Sequence, residues 1–190
     1  MLRPVLQVIA STSLQPMDLT TLRAVLWDLR PRLLPSRFEK AQQPDPATIQ
    51  LGCRSLKGMV WLELSWQAEA PRLVEVNPPP PSGSGSTFAL QPQHSLRQLA
   101  LVELHQSGFE RVVEFRFAKR PGEPIQRVLV LELMGRHSNL LLVDEQRRII
   151  ALGRQVRDHQ SRVHPLSTGD SYSQPPTLQG LAPDRTESFE

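Results

Sequence analysis

With 190 residues and 39% apolar content, the chain suffices for one large domain or two small ones, and a core covering about 70% of the unfolded surface is expected. Its single cysteine, Cys53, excludes both a disulfide framework and a thiolate metal cage, which favours a reducing setting. The formal net charge of +3 is a mild basic bias, and 19 of the 22 cations are Arg, a skew that a GC-rich genome and an RNA-contacting surface explain equally well.

Residues 1–16 place one Arg before a weakly apolar stretch broken by Pro4 and Gln7, too short for a secretory core or a membrane span, and are read as an extension. Asp18 then caps a helix whose stripe is Leu19, Leu22, Val25, Leu26, Leu29 and Leu33, and Pro31 should end or bend it. Ala47 to Cys53, Met59 to Trp66 and Arg72 to Val76 alternate with period two and predict an antiparallel meander, with a turn at Ser55 to Gly58. The run NPPPPSGSGS (77–86) predicts an exposed, mobile connection. Phe88 to Gln98 predicts a short or broken helix because Pro92 lies inside it. Five more strands follow, over Leu99 to His105, Arg111 to Ala118, Gln126 to Met134, Leu140 to Val143 and Ile149 to Leu152. Polar residues dominate from Gly153 onward.

Val128 to Met134 and Leu140 to Val143 are apolar on both faces, as in strands covered above and below. Between them Gly135 suits a positive φ, and Ser138 and Asn139 bond their own backbone, so Arg136 and His137 stand on a short, rigid turn. Glu132 is a carboxylate in an otherwise buried strand and must find a donor. Two partners are open to it: Arg136, pinning the hairpin locally, or an Arg that it orients toward a ligand phosphate. In GFERVVEFRF, Gly108 marks a turn and Glu110 and Arg111 lie at the mouth of the next strand, pointing to opposite faces. His159 and His164, five residues apart, are read as surface histidines, and no metal or cofactor is expected.

The stretches MDLTTLRAVLWDLRP (17–31), GFERVVEF (108–115), VLELMGRHSNLLLVDE (130–145) and TGDSYSQPP (168–176) together resemble the N-terminal domain of the NFACT family, also called RqcH or fibronectin-binding protein A. The resemblance runs from about Met17 to Pro176. It implies an α+β fold similar to the N-terminal domain of formamidopyrimidine-DNA glycosylases, mainly an antiparallel β-sandwich with flanking helices. It also implies a cytoplasmic, non-enzymatic role in ribosome-associated quality control: binding tRNA and the large ribosomal subunit with its stalled peptidyl-tRNA, and supporting template-free alanine tailing. The family's Asp-Arg dipeptide for tRNA handling matches Glu110 and Arg111, the acid being one methylene longer. Arg136, His137 and Asn139 are the further tRNA-contacting candidates, with Glu132 and Gly135 as orienting residues. A basic run in the preceding helix is replaced by PQHSL (92–96), so phosphate contact from that helix should be weaker. Residues 177–190 are expected to be a tail or a linker to the family's later regions.

Two other functions are set against this one. A fibronectin-binding surface adhesin would need export, for which the sequence offers no signal peptide, anchor or disulfide pair. A glycosylase-like DNA-binding domain rests on fold analogy alone, and those enzymes start with Pro-Glu where this chain has Met17-Asp18.

Overall fold

The structure, a computed structural model, describes residues 17–82, 87–155 and 164–175. Residues 1–16, 83–86, 156–163 and 176–190 lie outside the described residues, and with them the proposed extension, tail and His159.

Helix α1 (Leu19–Leu33) starts where Asp18 accepts a 2.7 Å hydrogen bond from the Thr21 amide, and its Leu22, Leu26, Leu29 and Leu33 are buried. It does not stop at Pro31. The missing proline N–H falls in the last turn, where it costs one bond, and continuing to Leu33 buries another leucine completely.

Among the described residues nine strands form one antiparallel sheet in the order β4-β3-β2-β1-β5-β6-β7-β8-β9. Its first half comprises β1 (Ser36–Asp45), β2 (Thr48–Ser55), β3 (Gly58–Ser65) and β4 (Arg72–Val76). The second comprises β5 (Ala100–His105), β6 (Val112–Ala118), β7 (Arg127–Glu132), β8 (Asn139–Asp144) and β9 (Ile149–Leu152). β1 was not expected from the sequence. Its polar residues and Pro44 hide it, and Pro44 is tolerated because the pairing with β2 slips between Gln42 and Asp45.

The halves join through a narrow seam, where β1 meets β5 only at Ser36 opposite Leu101 and Arg37 opposite Ala100. There the sheet folds back on itself. Ile49, Leu62 and Leu64 of one half share a core with Phe115, Leu129 and Leu142 of the other, which gives the α+β sandwich that the resemblance implied. Helix α2 (Thr87–Ser95) runs through Pro92 and docks on β1, where the Gln93 side-chain oxygen accepts a 2.7 Å bond from the Ala41 amide. Of the Pro-rich connection, residues 77–82 are described. Gln42 holds this piece by donating to the Pro80 carbonyl at 3.0 Å and accepting from the Ser82 amide at 3.4 Å.

The second face of β7 and β8 is covered by residues 164–175. This strap packs Leu166 and Tyr172 on Val112, Val128, Val130, Leu141, Val143 and Ile149, and it is stitched down by the Tyr172 amide to Arg147 carbonyl bond of 2.7 Å. Each apolar face of the central strands therefore has its own lid.

Closure of the sandwich is tightest at Trp66 and Gly153. A Cβ on Gly153 would stand 2.6 Å from the Trp66 ring, which is buried and cannot retreat. Gly153→Ala should cost about 1 to 3 kcal/mol of stability, read as a lower urea midpoint at unchanged m-value.

Candidate nucleic-acid interface

The strand register decides which polar residues meet. Val112, Glu132 and Asn139 are direct partners across β6, β7 and β8, so the entry to β6, the exit from β7 and the entry to β8 share one end of the sheet. Glu110 and Arg111 precede Val112, and the turn bearing Arg136 and His137 follows Glu132. The Leu133 amide donates to the Arg111 carbonyl at 2.8 Å and locks the two segments together. The N-terminus of α1 joins them, because Arg111 Nη1 donates to the Met17 carbonyl at 3.3 Å.

The turn is short and hydrogen-bonded within itself. Gly135 has φ +55°, residues Gly135–His137 form a short 3-10 turn, and the buried Ser138 hydroxyl accepts from the Met134 amide at 2.8 Å. Arg136 and His137 are exposed on it, and Arg136 Nε donates to His137 Nε2 at 3.3 Å. Arg111 and Glu110 are half-buried beside them.

Asn139 faces inward. It is fully buried, and its side-chain oxygen accepts from the Leu140 and Arg154 amides, both at 2.9 Å, while its Nδ2 donates to the Arg154 carbonyl at 2.7 Å. In the folded chain it acts as a tie between β8 and the exit from β9, with its polar atoms already occupied. Expected among the RNA contacts, it is a supporting residue here.

Glu132 is buried, and neither of the partners expected for it is the one observed. Its Oε2 accepts from the Tyr172 hydroxyl at 2.9 Å and lies 3.1 Å from His164 Nε2. The reason is geometric. Glu132 shares its face with Val128 and Val130, the face covered by the strap, whereas Arg136 sits on the exposed turn. Burial and the neighbouring Glu132 carboxylate push the Tyr172 hydroxyl pKa far up, so it remains a donor. His164, read as a surface residue, is thus mostly enclosed. Tyr172 is the only tyrosine of the chain and stands in the TGDSYSQPP stretch, the one signal that could have pointed to it.

Among the described residues six arginines elsewhere are paired with carboxylates, and those at this end are not. On the strap-covered face the Glu114 carboxylate takes Arg116 at 2.7 and 2.9 Å and Arg147 at 2.7 Å, and Arg116 also reaches Glu103 at 3.2 Å, so two carboxylates balance the two guanidinium charges. Arg32, Arg54, Arg72 and Arg127 likewise bind carboxylates. Arg111, by contrast, bonds a carbonyl and Arg136 an imidazole, and among the described residues neither forms a salt bridge. Arg23 and Arg30 on α1, to which no pattern in the sequence drew attention, also bond only carbonyls: Arg23 to Gly108 at 2.6 Å, and Arg30 to Leu104 at 2.9 and 3.2 Å. Among the described residues none of these four forms a salt bridge, although Arg111 interacts at longer range with the Asp18 carboxylate, so this part of the molecule carries a local excess of positive charge. Among the described residues no cluster of His, Cys, Asp and Glu is arranged to hold a metal ion, and no helix is long and apolar enough to cross a membrane.

Comparison with known proteins agrees with this architecture. The family model described as NFACT N-terminal and middle domains matches residues 18–190, and the chain belongs to the NFACT family. It is 29% identical over 170 residues to the Rqc2 homolog RqcH of Streptococcus pneumoniae, covering 85% of this chain and 30% of that protein. It is 30% identical over 164 residues to the Rqc2 homolog RqcH of Streptococcus suis, covering 82% of this chain and 29% of that protein. The crystal structure of the N-terminal domain of fibronectin-binding protein PavA from Streptococcus pneumoniae superposes with a TM-score of 0.75 at 26% identity, over 83% of this chain and 61% of that one. The chain spans less than a third of the length of the curated relatives.

Two outcomes follow for the supporting residues. Asn139→Ala should lower stability by about 2 kcal/mol or more, because the Leu140 and Arg154 amides lose their acceptor, and thermal unfolding measures it. Burial raises the Glu114 pKa, but hydrogen bonds and charge from Arg147 and Arg116 more than reverse this and hold it below its ordinary 4.5. A depressed folded pKa contributes stability above the unfolded value that is lost as pH falls through the folded one. The urea midpoint should therefore drop as pH falls below the ordinary 4.5, and drop less in Glu114→Gln.

Proposed function

We propose that this domain is the tRNA- and large-subunit-contacting part of a ribosome quality-control factor, which holds tRNA while stalled nascent chains are extended with alanine without a template. The observation that carries the reading is the cationic end of the sheet. Arg111 and Arg136 are presented by a locked β6 entry and a 3-10 turn, and among the described residues neither forms a salt bridge, although the charge of Arg111 is felt by the Asp18 carboxylate at the start of α1. A guanidinium so placed matches a phosphate with two parallel donors, and its rigidity lowers the entropy lost on binding. Membership of a family that includes RqcH proteins supports the same reading. In it, Glu110 and Arg111 take the role of the family's acid-arginine pair, His137 adds a donor beside Arg136, and Gly135 and Glu132 hold the turn and strand. The domain performs no bond chemistry itself; peptide transfer belongs to the ribosome, and the setting is the cytoplasm.

The fibronectin reading rests on the name that PavA carries, and the DNA reading on fold analogy. Filter binding at low salt with tRNA, duplex DNA and fibronectin separates the three. tRNA should be retained best, and Arg111→Ala and Arg136→Ala should each weaken it by about tenfold, with a salt slope shallower by about one unit. Unchanged tRNA binding in both variants, or tighter binding to fibronectin or duplex DNA, would reject the assignment.

A further inference from the structure

Helix α1 has two unlike flanks on either side of its buried leucine stripe. One carries Asp28 and Arg32, which pair with each other at 2.6 Å, and Arg32 also pairs with Glu75 of β4. The other carries Arg23, Trp27 and Arg30, spaced by four and three residues and so adjacent on the helix surface. The β5–β6 connection runs along this second flank. Leu104 meets Arg30, Gly108 meets Arg23, and Arg111 meets Met17 at the helix start.

Two aromatic rings stand open to solvent here. Trp27 is 81% exposed and Phe109 is 85% exposed, although each could bury apolar area of the kind that usually drives such residues inward. The position of Phe109 is held. Gly108, with φ +56°, turns the chain so that Phe109 faces out, and its carbonyl is gripped by both Arg23 at 2.6 Å and Gln106 at 3.0 Å. The Arg23 guanidinium lies 5.7 Å from the centre of the Phe109 ring, a cation–π contact that leaves the far side of the ring free to stack.

We infer that Trp27, Arg23 and Phe109 form a stacking platform for unpaired RNA bases, continuous with the phosphate-facing Arg111. This inference rests on the RNA-binding reading above and adds to it the kind of RNA: a single-stranded loop or end, whose bases are splayed out, rather than a closed helix. Charge selects the occupant. Arg23, Arg30 and Arg111 all direct their hydrogen bonds to carbonyls and keep their charge, so the surface attracts a polyanion, and the rings between them offer faces that only flat groups fill well. Duplex RNA presents no free base face to such a platform.

The test uses the full chain and two labelled RNAs of equal charge, a stem-loop with an unpaired loop and a blunt duplex, titrated over a range of salt. Trp27→Ala and Phe109→Ala should each weaken stem-loop binding about tenfold, as the loss of one stacked base does, while duplex binding and the salt slope stay unchanged. Trp27→Phe should restore most of the loss. Both rings are on the surface, so circular dichroism and thermal melting of the variants should match the parent. Trp27 emission should also be quenched by the stem-loop and not by the duplex. Normal stem-loop binding in Trp27→Ala and Phe109→Ala, with weakened binding in Arg111→Ala, would overturn the platform and leave RNA binding standing. Equal losses for stem-loop and duplex would also overturn it. If the parent protein binds neither RNA, the platform and the RNA reading fall together.

Discussion

Two central strands that are apolar on both faces impose the requirement on which the rest of this structure depends. β7 and β8 place Leu129, Leu131, Leu140 and Leu142 on one side and Val128, Val130, Leu141 and Val143 on the other, all buried. Exposing either set would forfeit about 1.5 to 3 kcal/mol for each side chain, far more than a domain of this size can lose. The sheet therefore folds back through the β1–β5 seam to cover the first face, and the strap at 164–175 covers the second. Glu132 is buried as a by-product of that second closure, and Tyr172 and His164 arrive with the strap to meet it.

The same closure fixes the end of the sheet that carries Arg111 and Arg136. Since the antiparallel register is pinned by the buried pairs Val113–Leu131 and Leu131–Leu140, the segments carrying Arg111 and Arg136 have no freedom to slide. A one-residue slip of β7 would exchange its two covered faces and carry the Glu132 carboxylate into the apolar sandwich core. Asn139 adds a side-chain clamp on Arg154, and Ser138 closes the turn from within. The exposed cations are thus the tips of a rigid body, and their order is inherited from hydrophobic packing rather than from contacts with one another.

Charge is divided unevenly across the surface. Of the eleven described arginines outside this region, six (Arg32, Arg54, Arg72, Arg116, Arg127 and Arg147) lie within 3.2 Å of a carboxylate, mostly in exposed or half-exposed pairs that add little to stability but cancel the local field. Arg23, Arg30, Arg111 and Arg136 bond carbonyls or an imidazole instead, which fixes each guanidinium without neutralising it. A net charge of only +3 is thereby compatible with a strongly cationic face.

The sequence by itself determined the helix capped by Asp18, eight of the strands, the two-faced burial of β7 and β8, and the positive φ at Gly135, since each follows from period, capping or turn chemistry within a few residues. It also carried the family, through motifs long enough to be specific. Only the tertiary structure decided β1, whose polar residues satisfy α2 and β2 rather than an apolar stripe, and the inward role of Asn139. The partners of Glu132 come from 32 and 40 residues away, and Arg23 reaches Gly108 across 85. Such contacts depend on how the sheet folds over, and no local pattern encodes which side chain a distant loop will bring.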